Sequence, residues 1–288
     1  MNSESIKVKS INLIVIIPGN PGIAAYYKPF EEKLDLLTKN QFKIHTLNYK
    51  GFENFPQGRQ FNLNEELEDK IDQLEKIIKS YEEKNSSKII PNIKIILIGH
   101  SIGSWIAHQM MDLRPNLPIR KIFYIFPFFH KNKKSKLQNF LGLLLKAPLL
   151  FKLILGLHFI FSSLPKILLN LLLISKLKHL NANGIFVTWK YFIQYKHILK
   201  SVFYLAKSEF EILPNQLQKE NYSKRIEDRH FFYNTKDMWA PLESLEILKQ
   251  EYSNLNYSLY SGALHDFCVT DKGIAWVSQE ISNIITPK

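Results

Sequence analysis

The pentapeptide Gly99-His100-Ser101-Ile102-Gly103 follows a strand-like run at 93–98 that is apolar except for Lys94, and leads into a helical pattern that continues to about residue 113. A serine flanked this way by glycines, on a turn from strand to helix, constrains the chain more than any other feature. The turn is so tight that side chains larger than hydrogen would meet the adjoining strand and helix. It leaves the hydroxyl exposed above the strand end, beside the first N–H groups of the helix. Such a turn needs a parallel sheet covered on both faces, and the rest of the sequence supplies the alternation. Apolar strand-like runs at 11–17, 42–47, 93–98, 119–125, 229–233 and 257–260 are separated by helical patterns around Phe30 to Leu37, Leu67 to Ile78, 103–113, from Leu242, and through Trp276 and Ile281. The fold class expected is α/β, a mostly parallel sheet with helices on both faces.

The alternation breaks once. Between Asp112 and Glu209 there is no acidic residue, while sixteen Lys and Arg occur, so the remainder of the +12 chain carries −4. Within this block residues 137–180 are rich in Leu and divided by Pro148 and Pro165. We expect a hydrolase core from 1–129 and 208–288, with 130–207 a basic, Leu-rich helical insertion that acts as a cap or binds a lipid surface. The sixteen residues between the prolines would give about 24 Å of helix, short of the roughly 30 Å hydrocarbon layer. The expectation is therefore helices lying in an interface, Leu side chains in lipid and ammonium groups at anionic headgroups. A soluble cap folded over the active site is the plainer alternative. Nucleic acid is disfavoured because the basic residues alternate with aliphatic rather than stacking side chains. The run at 11–17 enters Pro18-Gly19-Asn20-Pro21-Gly22 without a cleavage site and reads as a strand, not a signal peptide. A single cysteine, Cys268, permits neither an internal disulfide nor a cysteine zinc site.

Serine needs a base, and the base needs an orienting carboxylate, each presented at a later strand end. Asp237 follows the run at 229–233 and His265 follows that at 257–260, giving the order Ser, Asp, His. We take Ser101 as nucleophile, Asp237 as acid and His265 as base, a chemistry that calls for no metal and no cofactor. Glu209 and Glu211 are alternative acids at an earlier strand end, and Asp266 is too near His265 in sequence to orient it. His100 is expected to point away from the hydroxyl. His45, His108, His158, His179, His197 and His230 read as packed or surface residues. Oxyanion donors are expected from the Ile102 N–H and from the loop after the first strand, where Pro21 has no N–H and Asn20 is preferred over Gly19.

These residues carry a specific resemblance. Residues 17–22, Ile-Pro-Gly-Asn-Pro-Gly, with Tyr26, Tyr27 and Phe30, together with Gly-His-Ser-Ile-Gly-Ser-Trp at 99–105, Asp-Met-Trp-Ala-Pro at 237–241 and Leu-His-Asp-Phe at 264–267, resemble the lipid droplet-associated hydrolase family. The motifs extend from residue 17 to residue 267, and Asp266 stands where a small residue is expected. The resemblance implies an α/β-hydrolase fold and a serine esterase or lipase-like enzyme acting on neutral lipid esters, sterol esters among them. It implies a lipid droplet or endoplasmic reticulum surface, on the cytosolic side, as location and partner. It places nucleophile, acid and base on Ser101, Asp237 and His265. A lipid acyltransferase on the same fold, or a droplet-binding protein with little turnover, would share these features.

Overall fold

The computed structural model describes residues 7–52, 59–83, 89–195, 197–262 and 265–286. Lys196 of the basic block, Leu264 of the last motif, and both ends of the expected core lie outside them. Six strands, β1 (Lys7–Ile17), β2 (Lys43–Thr46), β3 (Ile89–His100), β4 (Ile119–Ile125), β5 (Arg229–Asn234) and β6 (Asn256–Tyr260), form one parallel sheet. Their order is β2-β1-β3-β4-β5-β6. Strands covered on both faces cannot alternate polar and apolar residues, which is why Leu13 to Ile17 and Leu97 to Ile98 are continuous apolar runs and fully buried. Helices α1 (Lys28–Leu37) and α10 (Asp271–Ile285) pack together, as do α2 (Leu63–Glu83) and α3 (Ile102–Leu113), while α9 (Leu242–Glu251) packs on β5.

Register decides what meets at the carboxyl edge of the sheet. Ile17 lies opposite Gly99, and His100 opposite Ile125. The loop after β1 and the turn after β3 are therefore side by side, in the place where open α/β sheets bind ligands.

Between β4 and β5, which are neighbours in the sheet, the chain makes α4 (Lys136–Leu145), α5 (Pro148–Ser162), α6 (Lys166–Leu177), α7 (Ala182–Thr188), a π-helical stretch Trp189–Gln194, and α8 (Ile198–Ile212). Position 207 falls inside α8, so the helix carries the chain past the expected edge of this segment before it descends to β5. The prolines start helices instead of breaking them: Pro148 occupies the first turn of α5 and Pro165 precedes α6. The Ser135 hydroxyl accepts from the Gln138 N–H to cap α4, and Asn181 does the same for α7 through Gly184. Among the described residues no single helix is long and apolar enough to cross a membrane. By length and composition α4 and α5 would qualify only as a pair, and they are bent by 98°.

Candidate active site

Ser101 caps the N-terminus of α3 with φ 54° and ψ −123°, a backbone region that costs a non-glycine residue free energy and is held here by its surroundings. Its N–H donates to Ile125 O at 3.0 Å. The flanking glycines are steric necessities. A Cβ on Gly103 would stand 2.2 Å from Ile17 O, and one on Gly99 2.5 Å from Gly103 O. Ile102 is the first helical residue, so its N–H has no intrahelical acceptor.

Two loops at the ends of β5 and β6 complete the arrangement. The Ser101 hydroxyl lies 2.8 Å from His265 Nε2, and His265 Nδ1 lies 2.7 Å from Asp237 Oδ2. The second oxygen of Asp237 accepts from the N–H groups of Trp239 at 2.7 Å and Ala240 at 3.0 Å. With Nδ1–H donating to the carboxylate, Nε2 is free to accept the serine proton. Burial works against charge on both partners. The His265 ring and the two N–H donors nevertheless hold the Asp237 carboxyl below its usual range, and Asp237 holds His265 above the usual histidine value. Of the alternative acids, Glu209 is buried against Asn20, Glu211 is paired with Lys207 at 3.8 Å on the exposed side of α8, and Asp266 is exposed at the cavity rim.

The oxyanion expectation divides. Gly19 abuts the nucleophile, since a Cβ there would lie 2.9 Å from Ser101 Cβ, but its N–H already donates to Tyr27 Oη at 2.9 Å. That bond removes Gly19 from the candidate donors and leaves Asn20 and Ile102. Among the described residues no acceptor pairs with the Asn20 N–H.

Three further groups meet at the site in roles that the sequence did not indicate. Tyr27 donates to His100 Nδ1 at 2.6 Å, and His100 Nε2 lies 3.0 Å from the backbone oxygen of His265. Because that oxygen can only accept, Nε2 carries the hydrogen. Burial, with help from nearby His265, pushes His100 down to about 3, so it stays neutral. Hydrogen bonds therefore run in one direction from the Gly19 N–H through Tyr27 and His100 to the residue that carries the base. The partners of the His100 ring nitrogens are Tyr27 and the His265 backbone rather than the Ser101 hydroxyl. The third group is Glu209. The sequence offers it as an alternative acid, but the packing of α8 brings it to Asn20 and not to His265.

Ser101 and His265 open into a cavity of about 510 Å³ whose far wall is apolar and comes from α4 and α8, through Leu141, Leu145, Val202, Phe203 and Phe210. Such a site can accept an ester of a long apolar acid, attack it with a serine oxygen and keep bulk water from the chain.

Residues 10–268 match the family model described as lipid-droplet associated hydrolase. The lipid droplet-associated hydrolase of Homo sapiens is 27% identical over 272 residues, covering 87% of this chain and 77% of that protein. The protein of the same name from Dictyostelium discoideum is 28% identical over 252 residues, covering 85% and 79%. Among solved structures, a lipase-esterase related protein from Clostridium acetobutylicum superposes with a TM-score of 0.62 at 15% identity, over 96% of both chains. An esterase from Exiguobacterium antarcticum gives 0.56 at 14% identity, over 96% of this chain and 92% of that one. At such identities the likeness is one of fold.

Proposed function

The chain belongs to the lipid-droplet associated hydrolase family, and from that premise we propose that it is a serine hydrolase of neutral lipid esters, sterol or glycerol, working at the surface of lipid droplets or the cytosolic face of the endoplasmic reticulum. The observation that carries the reading is the unbroken hydrogen-bond chain from Ser101 through His265 to Asp237 at the base of an apolar cavity.

The geometry supports a two-step reaction. Ser101 Oγ attacks the ester carbonyl carbon while His265 Nε2 takes its proton, and Asp237 stabilises the imidazolium that results. The tetrahedral oxyanion is met by the N–H groups of Ile102 and Asn20. Collapse expels the alcohol, protonated by His265, and leaves the acyl group on Ser101. Water, activated by the same histidine, then releases the fatty acid and restores the hydroxyl. No step calls for a metal or cofactor. Residues 1–129 and 208–288 carry this chemistry in our reading, while 130–207 offers apolar helices and lysines to a phospholipid monolayer.

The test is fatty acid release from a long-chain neutral ester presented in a phospholipid-coated emulsion. The wild-type chain is expected to release it and Ser101→Ala to release none. Equal release by both would overturn the reading.

A further inference from the structure

The loop after β1 is fastened at three successive residues. Tyr49 donates to Pro18 O at 2.7 Å, the Gly19 N–H donates to Tyr27, and the Asn20 side chain reaches across to α8. There Asn20 Nδ2 donates to Val202 O and to Glu209 Oε1, each at 3.0 Å. Two acceptors on one helix fix the amide from a single side, and Asn20 Oδ1 has no partner of its own.

Glu209 is 3% exposed, and among the described residues no Lys or Arg pairs with it. Burial pushes its carboxyl up to about 8, an effect that the Asn20 hydrogen bond only partly offsets, so at neutral pH it is an uncharged acid. It takes no part in the Ser101–His265–Asp237 chain. A buried carboxyl costs free energy that a leucine would not, and its one side-chain partner belongs to the residue whose N–H faces the oxyanion in the mechanism above.

We propose that Glu209 is a positioning residue for the oxyanion step: through the Asn20 side chain it clamps the loop after β1 to α8 and holds the Asn20 N–H beside Ser101. The inference rests on the serine-hydrolase reading. An oxyanion donor acts only when it is fixed in place before charge develops, and displacement on the scale of 1 Å is enough to cost about 10²-fold in rate. The clamp therefore acts on turnover, not on substrate binding.

The experiment measures kcat and KM of the full chain with p-nitrophenyl butyrate. Glu209→Ala is expected to lower kcat by about 10- to 10²-fold with KM within about twofold. Glu209→Gln, which keeps a neutral acceptor in the same place, is expected to recover most of that loss. Asn20→Ala retains the backbone N–H but loses the clamp together with the bond to Val202 O. It should lower kcat at least as much as Glu209→Ala, and the double variant should be no worse than Asn20→Ala alone, because the Glu209 bond is already gone in it. A Glu209→Ala kcat within twofold of wild type, a rise in KM alone, or a glutamine variant no better than alanine would each overturn the inference. If circular dichroism shows Glu209→Ala unfolded, Asn20→Ala decides: reduced kcat at unchanged KM supports the clamp, and unchanged kcat refutes it. Activity that persists in Ser101→Ala would defeat the serine-hydrolase reading itself. Activity that needs Ser101 but ignores Glu209 and Asn20 would defeat only the clamp.

Discussion

Helices α3 and α5 are both strongly apolar, yet α3 buries eight of its twelve residues and α5 buries none of its fifteen. The first is wedged between the sheet and α2. The second shows Leu149 at 80%, Leu153 at 57% and Ile160 at 63% exposure, and the next helix adds Ile167 and Leu171. Leaving a Leu or Ile in water forgoes about 1.5–3 kcal/mol relative to burying it, and a patch of this extent marks a surface meant for an apolar neighbour. The comparison teaches that apolar content in a sequence reports a preference for leaving water, and that packing decides whether protein or lipid provides the refuge. In the proposed function the two regions divide the work: one holds the chemistry rigid, the other meets the substrate phase.

The largest effects belong to the packed region. His265→Ala and Asp237→Asn are expected to lower kcat on a soluble ester by about 10³- to 10⁴-fold, the first by removing the base and the second by favouring the wrong tautomer. In pH terms, kcat/KM rises as His265 loses its proton. The midpoint of the acid limb lies above the ordinary histidine value of about 6.5 because Asp237 favours the charged ring, and Asp237→Asn moves it downward. A wild-type midpoint below that value would contradict the ion pair.

Next comes the exposed helix. Changing Leu149, Leu153, Leu157 and Ile160 together to Ser is expected to weaken partitioning onto droplets by about 10²-fold or more while leaving the melting temperature and soluble-ester kcat nearly unchanged. Phe151 is kept because its ring packs, tilted by 46°, on Phe203 of the cavity wall, 5.1 Å between centroids. A collapse of stability in the quadruple variant would make α5 a packed cap and remove the contrast.

The same substitution in the two regions sharpens it further. Gly103→Ala forces a methyl against Ile17 O and is expected to destabilise by about 1–3 kcal/mol or more. Gly156→Ala in α5 meets nothing within 4 Å and should be neutral or gain up to about 1 kcal/mol from helix propensity. Chemical denaturation of both variants reads the difference, and like signs would contradict it. Smallest is the electrostatic contribution. Gln at Lys133, Lys134, Lys136, Lys176 and Lys178 is expected to weaken binding to anionic vesicles by at most about 1 kcal/mol per lysine, less at high salt. Lys134 should count least, being partly countered by Glu243 at 3.3 Å.

Much of this was readable from residues alone, for reasons that differ by region. The buried centres of parallel strands must be apolar, so β1, β3 and β4 announce themselves. Ser101 follows such a run and Asp237 and His265 follow the shorter, more polar β5 and β6, which the order Ser, Asp, His singles out, while Gly99 and Gly103 mark the turn through space that only hydrogen fits. The oxyanion loop was half legible: the sequence identifies Pro21 as no donor, but not that Tyr27 already occupies the Gly19 N–H. Glu209 and His100 act through partners 189 and 165 residues away, Asn20 and the backbone of His265, and no periodicity reports contacts at that separation. The boundary expected at 207 falls inside α8, which runs on without a Pro or Gly until Leu213-Pro214 and so leaves no break there to read.

The central claim, that Ser101 is the activated nucleophile, is tested most directly by peptide mapping of the chain after reaction with a fluorophosphonate. A single phosphonyl adduct is expected, on Ser101, formed much more slowly when His265 is replaced by alanine. An unmodified Ser101 beside a modified serine elsewhere, or equal labelling of Ser101→Ala, would contradict it.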